Sequence, residues 1–296
     1  MLRRKLLATA LVLLPLLGVY GFRASSIAQG NNSELIMGLI PAENNEEMVQ
    51  KFEPMRVHLE NKLGRSVKVF QATDYAGVIE AMKRDRVDIA WFGPLSYVLA
   101  EQEASAEAFA VGVTNSGLST YSSIIVVSGD SSFQSLQDLA EKSVAFVDPA
   151  STSGALVPTY MVKKATGKMP EEFFGKFTYA GSHDAALLGV KNKTIDAAAS
   201  SDISYETMVS KGLITAQSNR ILVESEPIPG PPLTYRDNLD EATKTQIKDA
   251  ILNAHNEIEV TGYGDLLRYE EAKPEDYQII REMVQELGLR REQMLE

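Results

Sequence analysis

The sequence predicts an α/β fold. Short apolar strands alternate with amphipathic helices over residues 35–114, the same alternation recurs over 121–229, and a proline-rich stretch, "IPGPPLTYRDNLD" (228–240), then leads into two more helices. Strand–helix alternation with short connections implies a mostly parallel sheet covered by helices on both faces. Two such stretches with a C-terminal part that returns imply two units in one chain.

The elements follow in order. "SELIMGLIP" (33–41) is a short apolar strand ending at a turn. In "NNEEMVQKFEPMRVHLENKLG" (44–64) the residues Met48, Phe52, Met55, Leu59 and Leu63 fall at gaps of four and three. That spacing is an amphipathic helix, closed by Gly64, with Pro54 marking a kink or break. "SVKVFQA" (66–72) alternates as a strand, and "DYAGVIEAMKRDRV" (74–87) is a helix capped by Asp74. "DIAWFG" (88–93) is a strand, "PLSYVLAEQEA" (94–104) a helix with proline in its first turn, and "AFAVGVT" (108–114) a strand. No glycine fingerprint follows the first strand, which excludes a dinucleotide fold.

The second stretch repeats the pattern. "YSSIIVVSG" (121–129) is strand-like, "SSFQSLQDLAEK" (131–142) a short helix and "SVAFVD" (143–148) a strand. "KFTYAGS" (176–182) and "IDAAASS" (195–201) are strands, each followed by a helix, at 183–194 and 202–212. "NRILVESEPIP" (219–229) leads out as a strand. The last two helices, 240–255 and 273–289, open on Asp240 before Glu241 and on Pro274 before Glu275 and Asp276.

Composition narrows the classes. The start carries Arg3, Arg4 and Lys5, then an apolar run to about Val19, then Ser26 and Ala28 at cleavage-site spacing, so residues 1–28 read as a signal peptide. Removing these residues, which include Arg23, takes the formal net charge from −11 to −15. A chain that acidic does not bind nucleic acid or anionic lipid through a broad patch. The sequence has no cysteine, which excludes disulfides, thiolate–zinc sites, cysteine nucleophiles and a lipoprotein anchor. Three histidines, none in a His-Glu-x-x-His pattern, predict no metal or other cofactor.

The segment "FVDPASTSGALVPTYMVKKATG" (146–167) carries the chemistry. Ser151, Thr152, Ser153 and Gly154 fall where a strand hands over to a helix. The free N–H groups of a helix's first turn, together with the dipole, favour an anion, and the hydroxyls add donors. A plain helix cap explains the same residues. His183 also opens a helix directly after a strand, and parallel sheets place ligands at the carboxyl ends of strands. His58 and His255 lie on helical stretches and are expected to face solvent. Tyr75, Trp91 and Phe92 follow strands, as ligand walls or as core. Tyr121 falls at the junction of the two stretches. Asp148, Asp184, Asp196 and Asp202 fall near strand ends, with Asp196 structural. No Gly-x-Ser-x-Gly elbow occurs, and the Ser-Thr-Ser-Gly run has no evident base and orienting acid for nucleophilic catalysis.

Five stretches together, "DYAGVIEAM", "VDIAWFGPLSY", "DPASTSGALVPTYMV", "AGSHDAALLGV" and "PIPGPPLTYR", resemble the periplasmic phosphonate-binding proteins of ABC importers, a group that includes phosphite and phosphate binders. The resemblance runs over about residues 35–289. It implies a two-lobed periplasmic-binding-protein fold of the type II, flytrap kind with two chain crossings, near 118–121 and 224–229. The lobes are then 29–119 with 228–296, and 120–227. It implies a non-enzymatic, monomeric solute-binding protein in the periplasm that delivers its ligand to an inner-membrane ABC permease. By this resemblance Ser151, Thr152, Ser153 and His183 grip a phosphorus oxyanion, Tyr75 reaches it from the facing lobe, and Tyr121 lies in the cleft, with Gly154, Trp91 and Phe92 beside them. Aminoalkylphosphonate binders hold the ligand's amine with acidic residues; without gaps one such position falls on Ile203, with Asp202 adjacent. The expected ligand therefore lacks an amine, as phosphite and methylphosphonate do, and Asp202 accepts a proton from the oxyanion. Phosphate or 2-aminoethylphosphonate binding, and a phosphoryl-compound hydrolase, are the alternatives.

Overall fold

The computed structural model describes residues 34–295. The expected signal peptide, residues 1–28, lies outside them. Strand β1 (Leu35–Leu39) is buried at nearly every position and pairs in parallel with β2 (Val67–Gln71) on one side and β3 (Ile89–Trp91) on the other. Its unbroken apolar run suits a strand covered on both faces. Helix α1 (Asn45–Leu63) buries the expected stripe of Met48, Phe52, Met55 and Leu59, is capped by the Asn44 side chain, and ends at Gly64 in the left-handed conformation. It runs unbroken through Pro54. Burial of the stripe on both sides of the proline outweighs the one missing backbone bond. Helices α2 (Tyr75–Lys83) and α3 (Pro94–Ala104) follow β2 and β3, and β4 (Ala106–Thr114) completes the first pass.

The chain then leaves through β5 (Thr120–Tyr121). A second sheet takes β6 (Ser123–Val127), β7 (Ser143–Phe146), β8 (Lys176–Tyr179), β9 (Ala197–Ser201) and β10 (Arg220–Glu224), in the order β10-β6-β9-β7-β8. Its helices are α4 (Val157–Thr166), α5 (Pro170–Phe173), α6 (His183–Lys191) and α7 (Asp202–Ser210). Strand β11 (Ile228–Pro229) pairs with β5 as a two-stranded ribbon where the chain passes between the sheets. Strand β12 (Pro232–Arg236), helix α8 (Glu241–Leu252), strand β13 (Leu266–Glu271) and helices α9 (Gln278–Leu287) and α10 (Arg291–Leu295) return to the first sheet, whose order is β13-β4-β12-β3-β1-β2.

Several expectations are corrected. The sheets are mixed rather than mostly parallel. Strand β12 inserts antiparallel between β3 and β4, β13 lies antiparallel on β4, and β6 runs antiparallel to β9 and β10. The parallel cores, β1 to β3 and β7 to β9, remain. Strands β12 and β13 are not legible in the sequence: β12 starts on a proline, tolerated at a first strand position, and "LLRYEE" does not alternate. The helix expected over 131–142 is a single 3-10 turn, Leu136–Leu139, because the Asp138 carboxylate accepts the N–H groups of Gln134 and Ser135 and closes the chain on itself. His58 does not face solvent. It is 5% exposed, with Nε2 3.0 Å from the Ala250 carbonyl, because α1 packs this face on α8.

Candidate binding site between the two sheets

The carboxyl ends of β2 and β3 in one sheet and of β7 and β8 in the other lead into the segments that line one enclosed space. After β7 the chain turns at Asp148, whose Oδ1 accepts the Ala150 N–H at 2.8 Å and whose carbonyl accepts that of Ser151 at 2.9 Å. Ser151 Oγ accepts the Gly154 N–H at 3.1 Å, and a wide π-type turn, Thr152–Leu156, precedes α4. Glycine is required at 154. A Cβ there would lie 2.3 Å from Val147 Cγ2 and 2.8 Å from Ser151 Oγ. Gly154 thus lets the turn fold back on β7 and does not line the space. The Ser151, Thr152 and Ser153 side chains are buried at its wall.

Bonds from the facing segments close the site. Thr152 Oγ1 accepts the Leu95 N–H at the start of α3 at 2.8 Å. Tyr75, the first residue of α2, donates its backbone N–H to Asp148 Oδ2 at 3.3 Å. Burial first and the Asp148 charge second push the pKa of its hydroxyl well up. His183 opens α6 behind the Ser182 cap and donates its N–H to the Ala42 carbonyl at 2.9 Å. Its Nδ1 lies 3.1 Å from Ser200 Oγ. It is 3% exposed, and burial pushes its pKa down to about 3, so the imidazole is neutral. Tyr121 lines the space beside Thr152 and Ser153, and burial raises the pKa of its hydroxyl too.

The structure adds Tyr263, which the sequence reading missed. It sits between Gly262 and Gly264 in a connection with no periodicity, so only the flanking glycines hint at it. Its ring packs on Trp91 at 5.1 Å, and its hydroxyl bonds Ser201 and Ser204 at the start of α7. Ser204 Oγ also donates to Glu43 Oε1 at 3.1 Å, and Glu43 pairs with Lys51. Trp91 lines the space while packing on Phe52 at 5.5 Å, so it is both wall and core.

The space brings together Tyr75, Tyr121, Ser151, Thr152, Ser153, His183 and Trp91 from the expected set, and adds Tyr263, Ile40, Ala42, Gly93 and Pro231. Phe92 is buried in the core outside it. Asp202 lies elsewhere. Its carboxylate accepts the N–H groups of Ser122 at 2.9 Å and Ile203 at 2.7 Å, and it faces a separate outer cavity. Burial pushes its pKa up to about 6. Asp196 is structural, accepting from the Ser143 N–H and Oγ. The enclosed volume is at most about 240 Å³, below the roughly 300–1,000 Å³ of sites for drug-sized ligands. Among the described residues lining it there is no Lys, Arg, Asp or Glu. No group of three or more His, Asp or Glu among the described residues is placed to hold a metal ion.

Residues 37–277 match the family model described as the ABC transporter, phosphonate, periplasmic substrate-binding protein. The chain belongs to this family. It is 34% identical over 230 residues to the phosphonates-binding periplasmic protein of Escherichia coli K12, covering 76% of this chain and 68% of that one. It is 32% identical over 233 residues to the phosphate-import protein PhnD of Mycolicibacterium smegmatis, covering 76% and 73%. Its fold matches the crystal structure of a binding-protein component of an ABC phosphonate transporter from Pseudomonas aeruginosa, with TM-score 0.79, 29% identity and 86% of each chain covered. The two sheets joined by a short ribbon are thus the two lobes of a type II ABC substrate-binding protein, a family of the periplasm.

Proposed function

We propose that this protein is the solute-binding component of an ABC importer and captures phosphite or methylphosphonate between its lobes. The observation that carries the reading is a small closed space into which only uncharged donors converge: the Ser151, Thr152 and Ser153 hydroxyls, the N-terminal turn that bears them, a neutral His183, and the Tyr75 and Tyr121 hydroxyls. Such donors stabilise an oxyanion without a counter-charge, and do so best where water is excluded. The relatives named for phosphonates and for phosphate agree on the ligand class.

The apolar side of the space favours three oxygens over four. Ile40, Ala42 and Pro231 offer no donor from their side chains, which suits a P–H or P–CH₃ group on their side of the space. The fourth oxygen of phosphate would be buried there unpartnered. An ammonium group would meet no carboxylate in the space. Asp202, turned to two backbone N–H groups, has no part in this reading. Nothing is transformed; the ligand passes to the membrane permease when the lobes open. The lobes are residues 29–119 with 228–296, and 120–227, hinged at the β5–β11 ribbon, in a monomer exported by a cleaved signal peptide.

Calorimetric titration of the ligand-free protein with phosphite, methylphosphonate, phosphate and 2-aminoethylphosphonate tests this. Phosphite or methylphosphonate is expected to bind tightest and the amine compound weakest. Silence with all four would return Ser151 and its neighbours to the status of a helix cap.

A further inference from the structure

A second compartment adjoins the anion space, with Trp91, Tyr121, Pro231 and Tyr263 forming the wall they share. Ile203, Leu266 and Tyr269 line its far side, and its volume is at most about 350 Å³. No charged residue lines it among the described residues. Tyr269, in β13 opposite Gly112 of β4, is 3% exposed. Its hydroxyl has no hydrogen-bond partner among the described residues. A buried O–H left unpartnered is costly, and such groups in native proteins normally find a partner. The partner is therefore to be sought in what fills the compartment.

We propose that this compartment receives the substituent on phosphorus, and that it takes a short, uncharged carbon chain carrying one oxygen that accepts a hydrogen bond from the Tyr269 hydroxyl. The inference rests on the reading that Ser151, Thr152, Ser153 and His183 seat the oxyanion. With the oxyanion there, the carbon bonded to phosphorus faces the shared wall. Ile203 and Leu266 give the chain apolar contact. An ammonium at the same place would be buried without a counter-charge, because the nearest carboxylate on that helix, Asp202, is committed to the Ser122 and Ile203 N–H groups in another cavity.

The test is calorimetric titration of the full mature protein and its Tyr269→Phe variant with phosphite, methylphosphonate, ethylphosphonate, 2-hydroxyethylphosphonate and 2-aminoethylphosphonate. In the wild type, ethylphosphonate is expected within about tenfold of methylphosphonate, and 2-hydroxyethylphosphonate about fivefold tighter than ethylphosphonate, the worth of one net hydrogen bond. The amine compound is expected at least about 100-fold weaker than its hydroxyl counterpart. In Tyr269→Phe the hydroxyethyl-to-ethyl ratio should fall to about one. Thermal unfolding checks that the variant is folded, as expected when only an unpartnered oxygen is removed. A wild-type ratio near one, a ratio unchanged by Tyr269→Phe (as a water on Tyr269 would produce), or ethylphosphonate more than about 100-fold weaker than methylphosphonate would overturn the inference while leaving the oxyanion seat intact. Silence with phosphite and methylphosphonate as well would overturn the seat, and this inference with it.

Discussion

Ser204 joins the lobes behind the anion space, and its replacement by alanine should weaken ligand binding while sparing the free protein. The Ser204 hydroxyl donates to Glu43 Oε1 at 3.1 Å and lies 2.8 Å from the Tyr263 hydroxyl. Glu43 and Tyr263 belong to the lobe of the first sheet and Ser204 to the other. Glu43 is 4% exposed and Ser204 fully buried, so neither bond is made in water. A hydrogen bond to a charged group contributes about 1.5–3 kcal/mol and a neutral one about 0.5–1.5 kcal/mol. Tyr263 keeps Ser201, and Glu43 keeps Lys51, which puts the loss at the lower end, about 2 kcal/mol. When the lobes part, Glu43 and Tyr263 regain water as partners, so the open form loses nothing. The penalty falls on the closed, ligand-holding form, because a ligand shifts the equilibrium only by what distinguishes the two states. The Kd for phosphite should rise about 30-fold. Calorimetric titration of wild type and Ser204→Ala reads this, with thermal unfolding of both proteins free of ligand alongside. A change in Kd under about threefold would refute the role of the network in closure. An equal loss of about 2 kcal/mol in the ligand-free protein would show that these bonds hold without ligand.

Three further expectations follow from the same geometry. Burial lifts the Asp148 carboxyl from 3.8 to about 6, so its contribution favours the fold at low pH and is lost as pH rises through about 6. Asp148→Asn keeps only one of the two acceptor oxygens, a loss common to both conditions, so relative to wild type it should fare up to about 3 kcal/mol better at pH near 7.5 than at about pH 4; urea unfolding at both would read the difference, and an equal effect at both would contradict it. His183 has the opposite sign: burial holds it at about 3 against 6.5 unfolded, so the stability it contributes is present above about 6.5 and lost as pH falls toward 3. Its imidazole NMR signals should not titrate between about pH 5.5 and 8, and a midpoint inside that range would contradict a neutral buried ring. Gly154→Ala should destabilise by about 1–3 kcal/mol and weaken phosphite binding, since its methyl meets Val147 and displaces Ser151; a variant with the wild-type Tm and affinity would show that the turn has room.

The lining of the enclosed space was legible wherever it depends on the chain's local order. Ser151, Thr152, Ser153 and His183 stand at strand-to-helix transitions, and the backbone N–H groups there are free by the geometry of any helix start. Tyr75 and Trp91 stand at strand ends in the same way. Asp202 also falls at such a transition, yet its carboxylate turns back to Ser122 and Ile203, because two backbone N–H groups are nearer than the cleft. Sequence position told where its Cα lies and not which way its side chain turns. His58 failed likewise: its helix was correct, but α8, which covers it, lies almost two hundred residues further along.

By itself the sequence determined the two α/β units, the hydroxyl turn and histidine at their strand ends, and the absence of cysteine chemistry. Periodicity records which residues are buried, so these survive without knowledge of partners. Tertiary structure alone decided that β12 and β13 complete the first sheet, that Tyr263 lines the enclosed space, and that, among the described residues, no charged side chain lines that space and the Tyr269 hydroxyl of the adjoining compartment has no partner. Each depends on segments far apart in the chain meeting across a cleft. What a side chain faces there is set by how two lobes pack, a property that no single stretch of sequence contains.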